Sequence, residues 1–137
     1  MYKRQALVAT PNVDPYFLRK VRILNAAHTA MAVRAQARGL RTVLDAMNDP
    51  EVSAWLERVL FEEIVPTLEG RVAGPEAFAR QTLERFRNPF LEHKISDILV
   101  YHEDKARIRL APTRDEFVAK FGHRPPLLDE AVAGSGL

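Results

Sequence analysis

Apolar residues recur along this chain at the three-to-four-residue spacing of a helix laid against a core. From position 51 to about 65 they fall at Val52, Trp55, Leu56, Val59, Leu60 and Ile64, with Glu51, Glu57, Glu62 and Glu63 on the wet side and Pro66 ending or kinking the run. After a loop at 70–74, the same period predicts a helix from Pro75 to about Arg87 on Phe78, Leu83 and Phe86. Another is predicted from Pro89 to about His102 on Phe90, Leu91, Ile95, Ile98 and Leu99. A short amphipathic helix is expected from Thr42 to Met47, closed by Asn48, Asp49 and Pro50.

The longest helix opens this body. Asp14 suits an N-cap with Pro15 at the first helical position, and the run continues to about Arg38, where Gly39 stops it. Positions 26 to 37 are rich in Ala yet keep Met31 and Val33, a composition that predicts burial on more than one side and a central place. Ahead of this helix, residues 5–10 read as a short strand followed by a stiff linker between Pro11 and Pro15.

Further on, Arg107 to Leu110 alternates like a weak strand or an extended connector. Thr113 with Glu116 three residues later makes a capping box for a brief helix ending at Gly122. Residues 123–137, with Pro125-Pro126 and a Gly-Ser-Gly run, read as a peripheral arm that frays. The fold class is therefore all-α, with 1–14 a strand and linker, 15–122 the helical body and 123–137 a peripheral tail.

A chain of 137 residues that is 47% apolar supports one core and not two ordinary domains. It has no cysteine, which excludes disulfides and thiolate metal sites. No stretch approaches the ~20 apolar residues of a membrane span and no signal peptide precedes the body, so the expectation is a cytoplasmic domain with no membrane partner. The net charge is +2, from 20 basic and 18 acidic residues, and the basic residues are spread rather than striped, which argues against nucleic acid. The bias that exists lies early: Lys3, Arg4, Arg19, Lys20, Arg22, Arg34, Arg38 and Arg41 meet only Asp14 before Asp45. That bias suits an anionic substrate or a plain solvated face.

Composition says nothing of chemistry, but residues 20–31 do. In Lys20-Val-Arg-Ile-Leu-Asn25-Ala-Ala-His28-Thr-Ala-Met, three polar groups interrupt a surface that otherwise reads as buried. At 100° per residue from Lys20, His28 falls about 80° and Asn25 about 140° around the helix, with Val21 and Leu24 between them and Arg19 and Arg22 pointing away. A buried amine, amide or imidazole needs a partner, and a ligand is one candidate. The bland alternatives are a core histidine satisfied by its neighbours and a lysine that snorkels to water.

The Lys-x4-Asn-x2-His run resembles the signature helix of the long-chain polyol dehydrogenases, the mannitol dehydrogenase family, in its C-terminal domain. Supporting stretches are Pro11-Asn-Val-Asp-Pro-Tyr16, Glu62-Glu-Ile-Val-Pro-Thr67 and Arg85-Phe-Arg-Asn-Pro-Phe90 with His93 beyond, so that the likeness covers about 6–113 and leaves the tail poorly matched. Within the family the likeness is greatest to the sugar-acid branch of tagaturonate reductases, also called altronate oxidoreductases. Asp97 stands where polyol-oxidising members tend to carry an arginine, which weakens the mannitol alternative.

The resemblance implies an NAD-dependent oxidoreductase that interconverts a keto sugar acid and its secondary alcohol. It makes Lys20 the general acid/base, Asn25 the amide that holds the reacting oxygen, and His28 the imidazole that orients the substrate. Lys105 matches a second family lysine ahead of a Leu-Pro-Thr-like segment, here Leu110-Ala-Pro-Thr113. Arg85 and His93 are candidates for the substrate, Arg85 because a guanidinium pairs with a carboxylate through a planar fork. Chemically, such a reaction needs a group to move the hydroxyl proton, donors to the oxygen and a rigid pose.

The sequence has no Gly-x-Gly-x-x-Gly and no long βαβ run, so NAD is assigned mainly to a Rossmann domain in cis or in trans. The chain then reads as a substrate domain parted from its cofactor domain, inactive alone and sticky where that domain packs. Mannitol or fructuronate chemistry is one alternative. A non-catalytic helical interaction module is another.

Overall fold

A computed structural model describes residues 14–137, and the expected strand at 5–10 lies outside them. The elements are α1 (Pro15–Arg19), π1 (Lys20–Asn25), α2 (Ala26–Ala37), α3 (Val43–Asn48), α4 (Pro50–Arg58), π2 (Val59–Ile64), α5 (Val65–Leu68), α6 (Pro75–Phe86), α7 (Ile95–Ile98), α8 (His102–Arg109), α9 (Ala111–Phe121) and α10 (Pro126–Gly134). The fold is all-α, as the sequence predicts, and no helix among the described residues is long and apolar enough to cross a membrane.

Local chemistry fixes the helix starts. Asp14 accepts the Tyr16 N–H at 2.9 Å ahead of Pro15. Thr42 and Asp45 form a reciprocal capping box, and Asp49 accepts from both Glu51 and Val52 ahead of α4. After α2 the chain turns at Gly39 with φ of 75°, a conformation that costs any side chain strain.

α1, π1 and α2 form one continuous helix through 15–37, and π1 is its unusual part. The Ala26 N–H bonds to the Val21 carbonyl five residues back, and π2 repeats the pattern with Val65 N–H to Leu60. The two wide turns pack against each other. The Ala-rich α2 sits at the centre as predicted, touching α3, α4, α7, α8 and α10. Ala26, Ala27, Ala32 and Ala35 are completely buried. Their small side chains let neighbours close in, as Gly134 of α10 does on Val33, where a Cβ would come within 3.2 Å of Cγ1.

Four expectations are corrected. The long helix over 89–102 is absent. Asn88 instead accepts the Phe90 N–H in a local turn, and the chain stays extended through the Thr42–Lys94 bridge, with Val43 N–H to His93 O at 2.9 Å and Ile95 N–H to Arg41 O at 2.8 Å. Only α7 follows, and Phe90 is 91% exposed rather than core.

Arg107–Leu110 is not extended either, because it belongs to α8 and its last turn. Glu103 and Asp104 at the start of α8 and Arg107 and Arg109 at its end complement the helix dipole, and Ala106 buries the inner face.

The Thr113 capping box does not form. α9 starts earlier, with Pro112 in its first turn, and Glu116 instead pairs with Arg22 at 2.6 Å and Arg71 at 2.7 Å. Nor do residues 123–137 fray. Pro126 opens α10, and buried Glu63 of π2 accepts the Leu127 and Leu128 N–H groups at 3.0 and 2.7 Å. Leu128, Ala131 and Val132 then seal against the core.

Candidate functional site

The wide turn π1 changes where its polar residues lie. Closing each hydrogen-bonded ring over five residues stacks residue i+5 above residue i, as i+4 stacks in an α-helix. Asn25 therefore sits one turn above Lys20, rather than the 140° away that regular α-geometry gives. Asn25 and His28 are half-buried, but Lys20 is exposed, against the expectation that all three share a buried face.

Beyond Asn25, the helix carries His28 to the wall of a recess of about 230 Å³ lined by His28, Val43, Arg85, Phe86, Leu91 and His93. α6 supplies Arg85 and Phe86 at its end, and the extended segment before α7 supplies Leu91 and His93. The His28 ring lies 4.4 Å from the Phe86 ring and 5.1 Å from that of His93, the latter edge to face. Burial pulls the His28 pKa down to about 4, helped by positive charge from His93, Arg109 and Arg85, while a hydrogen bond with the Leu24 backbone opposes the shift. At neutral pH His28 is thus an uncharged imidazole, able to donate from one nitrogen and accept at the other.

Two sequence candidates, Arg85 and His93, thereby join His28 at one recess. Lys105 does not line it. Its Nζ donates to the Ile98 carbonyl at 3.0 Å, fastening α8 to the end of α7. Arg109, to which the sequence reading gave no role, bonds through Nη1 to Thr29 Oγ1 at 3.3 Å, and Thr29 in turn donates to the Asn25 carbonyl at 3.0 Å. A clue was available in the sequence: Arg85 and Arg109 have no acidic residue three or four positions away, whereas Arg107 has Glu103 and Asp104.

Elsewhere, His102 meets Ser135 at 2.8 Å, but Ser135 donates its own proton to the Ala131 carbonyl, which leaves no nucleophile there. Among the described residues no cluster of His, Asp and Glu is suited to a metal ion.

The family described as mannitol dehydrogenase C-terminal domain matches residues 12–135. The chain belongs to that family. The match takes in α10, so the likeness runs well past the limit of 113 drawn from the sequence. An altronate oxidoreductase of Cronobacter sakazakii is 40% identical over 122 residues, which is 89% of this chain and 25% of that protein. One from Halalkalibacterium halodurans is 41% identical over 109 residues, covering 80% of this chain and 21% of the relative. The chain thus spans about a quarter of the length of the curated relatives it matches.

Among solved structures, Pseudomonas fluorescens mannitol 2-dehydrogenase, in a ternary complex with NAD and D-mannitol, superposes with a TM-score of 0.79 at 24% identity, over 92% of this chain and 26% of that one. A substrate-free D-sorbitol dehydrogenase gives 0.79 at 22% identity, over 88% of this chain and 25% of that one. At these identities the structures establish the shared fold.

Proposed function

We propose that this chain is the substrate-binding and catalytic domain of an NAD-linked oxidoreductase that interconverts a keto sugar acid and its secondary alcohol, of the tagaturonate and altronate type. The observation that supports the reading is that His28, on the continuous helix that also carries Lys20 and Asn25, lines one recess with Arg85 and His93. Kinship with altronate oxidoreductases at about 40% identity supports the sugar-acid substrate class.

In this reading Lys20 delivers a proton to the ketone oxygen during reduction and removes it during oxidation. Asn25, one turn above, offers its amide to the same oxygen, and neutral His28 fixes a substrate hydroxyl without adding charge. Arg85 and His93 face the carboxylate end. The exposure of Lys20 fits a site that becomes enclosed only when a second domain covers it.

The nicotinamide supplies the hydride when bound. The described residues, whose named elements are all helices and which lack a βαβ unit, offer no pyrophosphate cradle, so its binding is assigned to a Rossmann domain outside them.

An NADH-dependent assay of this chain joined to the cofactor domain of a full-length relative tests the reading. Tagaturonate is expected to be reduced in preference to fructose, with fructuronate between them. A folded, NADH-binding chimera that reduces none of the three refutes it in favour of the non-catalytic module.

A further inference from the structure

We infer that Arg109 is a specificity-determining charge of this site, one that with Arg85 surrounds His28 with uncompensated positive potential and so selects an anionic substrate over its neutral counterpart. The inference rests on the reading that the His28 recess receives the sugar.

Most arginines among the described residues hold a carboxylate, and Arg19 and Arg41 are exceptions alongside Arg85 and Arg109. Arg107, two residues before Arg109 on α8, lies 3.1 Å from Asp104 and 3.6 Å from Glu103. Arg87, two residues after Arg85, lies 3.1 Å from Glu57. Arg22, Arg34 and Arg71 each hold a carboxylate as well. Among the described residues neither Arg85 nor Arg109 has a carboxylate within the same 4.0 Å reach, and residues 1–13 contain no Asp or Glu that could supply one.

The two differ in setting, and the difference assigns their parts. Arg85 is exposed at the rim of the recess, free to fork onto an incoming carboxylate. Arg109 is half-buried, and its one side-chain partner among the described residues is the hydroxyl of Thr29, the residue next to His28. Burying a guanidinium against a hydroxyl and no counter-ion leaves its desolvation uncompensated, and burial accordingly lowers the Arg109 pKa.

His28 registers both charges, together with that of His93 across the recess. Arg85 lines the recess and Arg109 acts from outside its lining, beside Thr29, so a carboxylate arriving there gains from both charges, whereas a polyol of the same length does not. Through Thr29, Arg109 also tethers the Asn25 carbonyl, so the charge is fixed to the turn that carries the reacting-oxygen contacts.

The test uses the chain as it stands and follows the histidine ring protons by NMR while D-gluconate or D-glucitol is added, the two differing in one terminal carboxylate. Gluconate is expected to move the His28 and His93 signals, glucitol is not at equal concentration, and the gluconate effect should weaken as potassium chloride is raised. Arg109→Met and Arg85→Met should each weaken gluconate about tenfold, and Arg109→Lys should retain most of the affinity. Arg85 is exposed, so its variant gives an answer even if Arg109→Met fails to fold.

Unchanged gluconate affinity in a folded Arg109→Met overturns the role given to Arg109. Equal shifts by gluconate and glucitol overturn charge selection while leaving a sugar-binding recess in place. No shift with either compound overturns both the inference and the reading beneath it.

Discussion

His28 and His93 meet edge to face with 5.1 Å between ring centroids, although one comes from the central helix and the other from an extended segment 65 residues on. Burial is the larger cause of the low His28 pKa, and positive charge on His93 at that distance adds to it. His28 is the more buried partner. Replacing His93 by Leu should raise the His28 pKa only part of the way from about 4, since burial and the arginines remain, as followed by its ring-proton shifts. An unchanged value would assign the depression to burial and the arginines alone.

The same group makes stability depend on pH. A histidine held low in the fold binds its proton more readily when unfolded, so stability from this source is intact above pH 6.5 and is lost as pH falls toward 4. The full loss amounts to about 3 kcal/mol. His102 is also lowered, by burial and then by Lys105, and adds in the same direction. Glu63, raised by burial, runs the other way. The His28 share is isolated by comparing urea unfolding of the wild type with His28→Asn at pH 7 and pH 4.5, where the variant should show the shallower decline.

Glu63 also decides whether α10 stays docked. It is the buried carboxylate that receives the first N–H groups of that helix, at Leu127 and Leu128. Glu63→Ala removes both bonds and should cost about 1–3 kcal/mol. Hydrogen exchange should then accelerate across 126–134 before the rest of the core. Uniform loosening of the whole chain would contradict a local role.

Much of this was legible in the sequence, for identifiable reasons. The Ala-rich run from 26 to 37 announced a helix buried on more than one side, and the cap at Asp14 marked a real start because its short carboxylate bonds the backbone N–H two residues on. The wide turn at Lys20–Asn25 was not legible. Its residues are ordinary helix formers, and packing against the matching turn at Val59–Ile64 is a tertiary event. That is why the angular positions of Lys20 and Asn25 differ from those that regular α-geometry gives.

Phe90 and Leu91 kept helical spacing without helical structure, since bonds to Arg41 and Val43 hold the chain extended through that stretch. Arg109 escaped notice because its neighbour in space, Thr29, is 80 residues away.

Lys20 carries the central claim, and its removal tests the claim most directly. In the chimera with a cofactor domain, Lys20→Ala should lower the rate of tagaturonate reduction at least a hundredfold while NADH binding and the folded circular dichroism spectrum persist. Added methylamine should return part of that rate in the variant and leave the wild type unaffected. A Lys20→Ala enzyme that turns over within a few-fold of wild type would contradict the account.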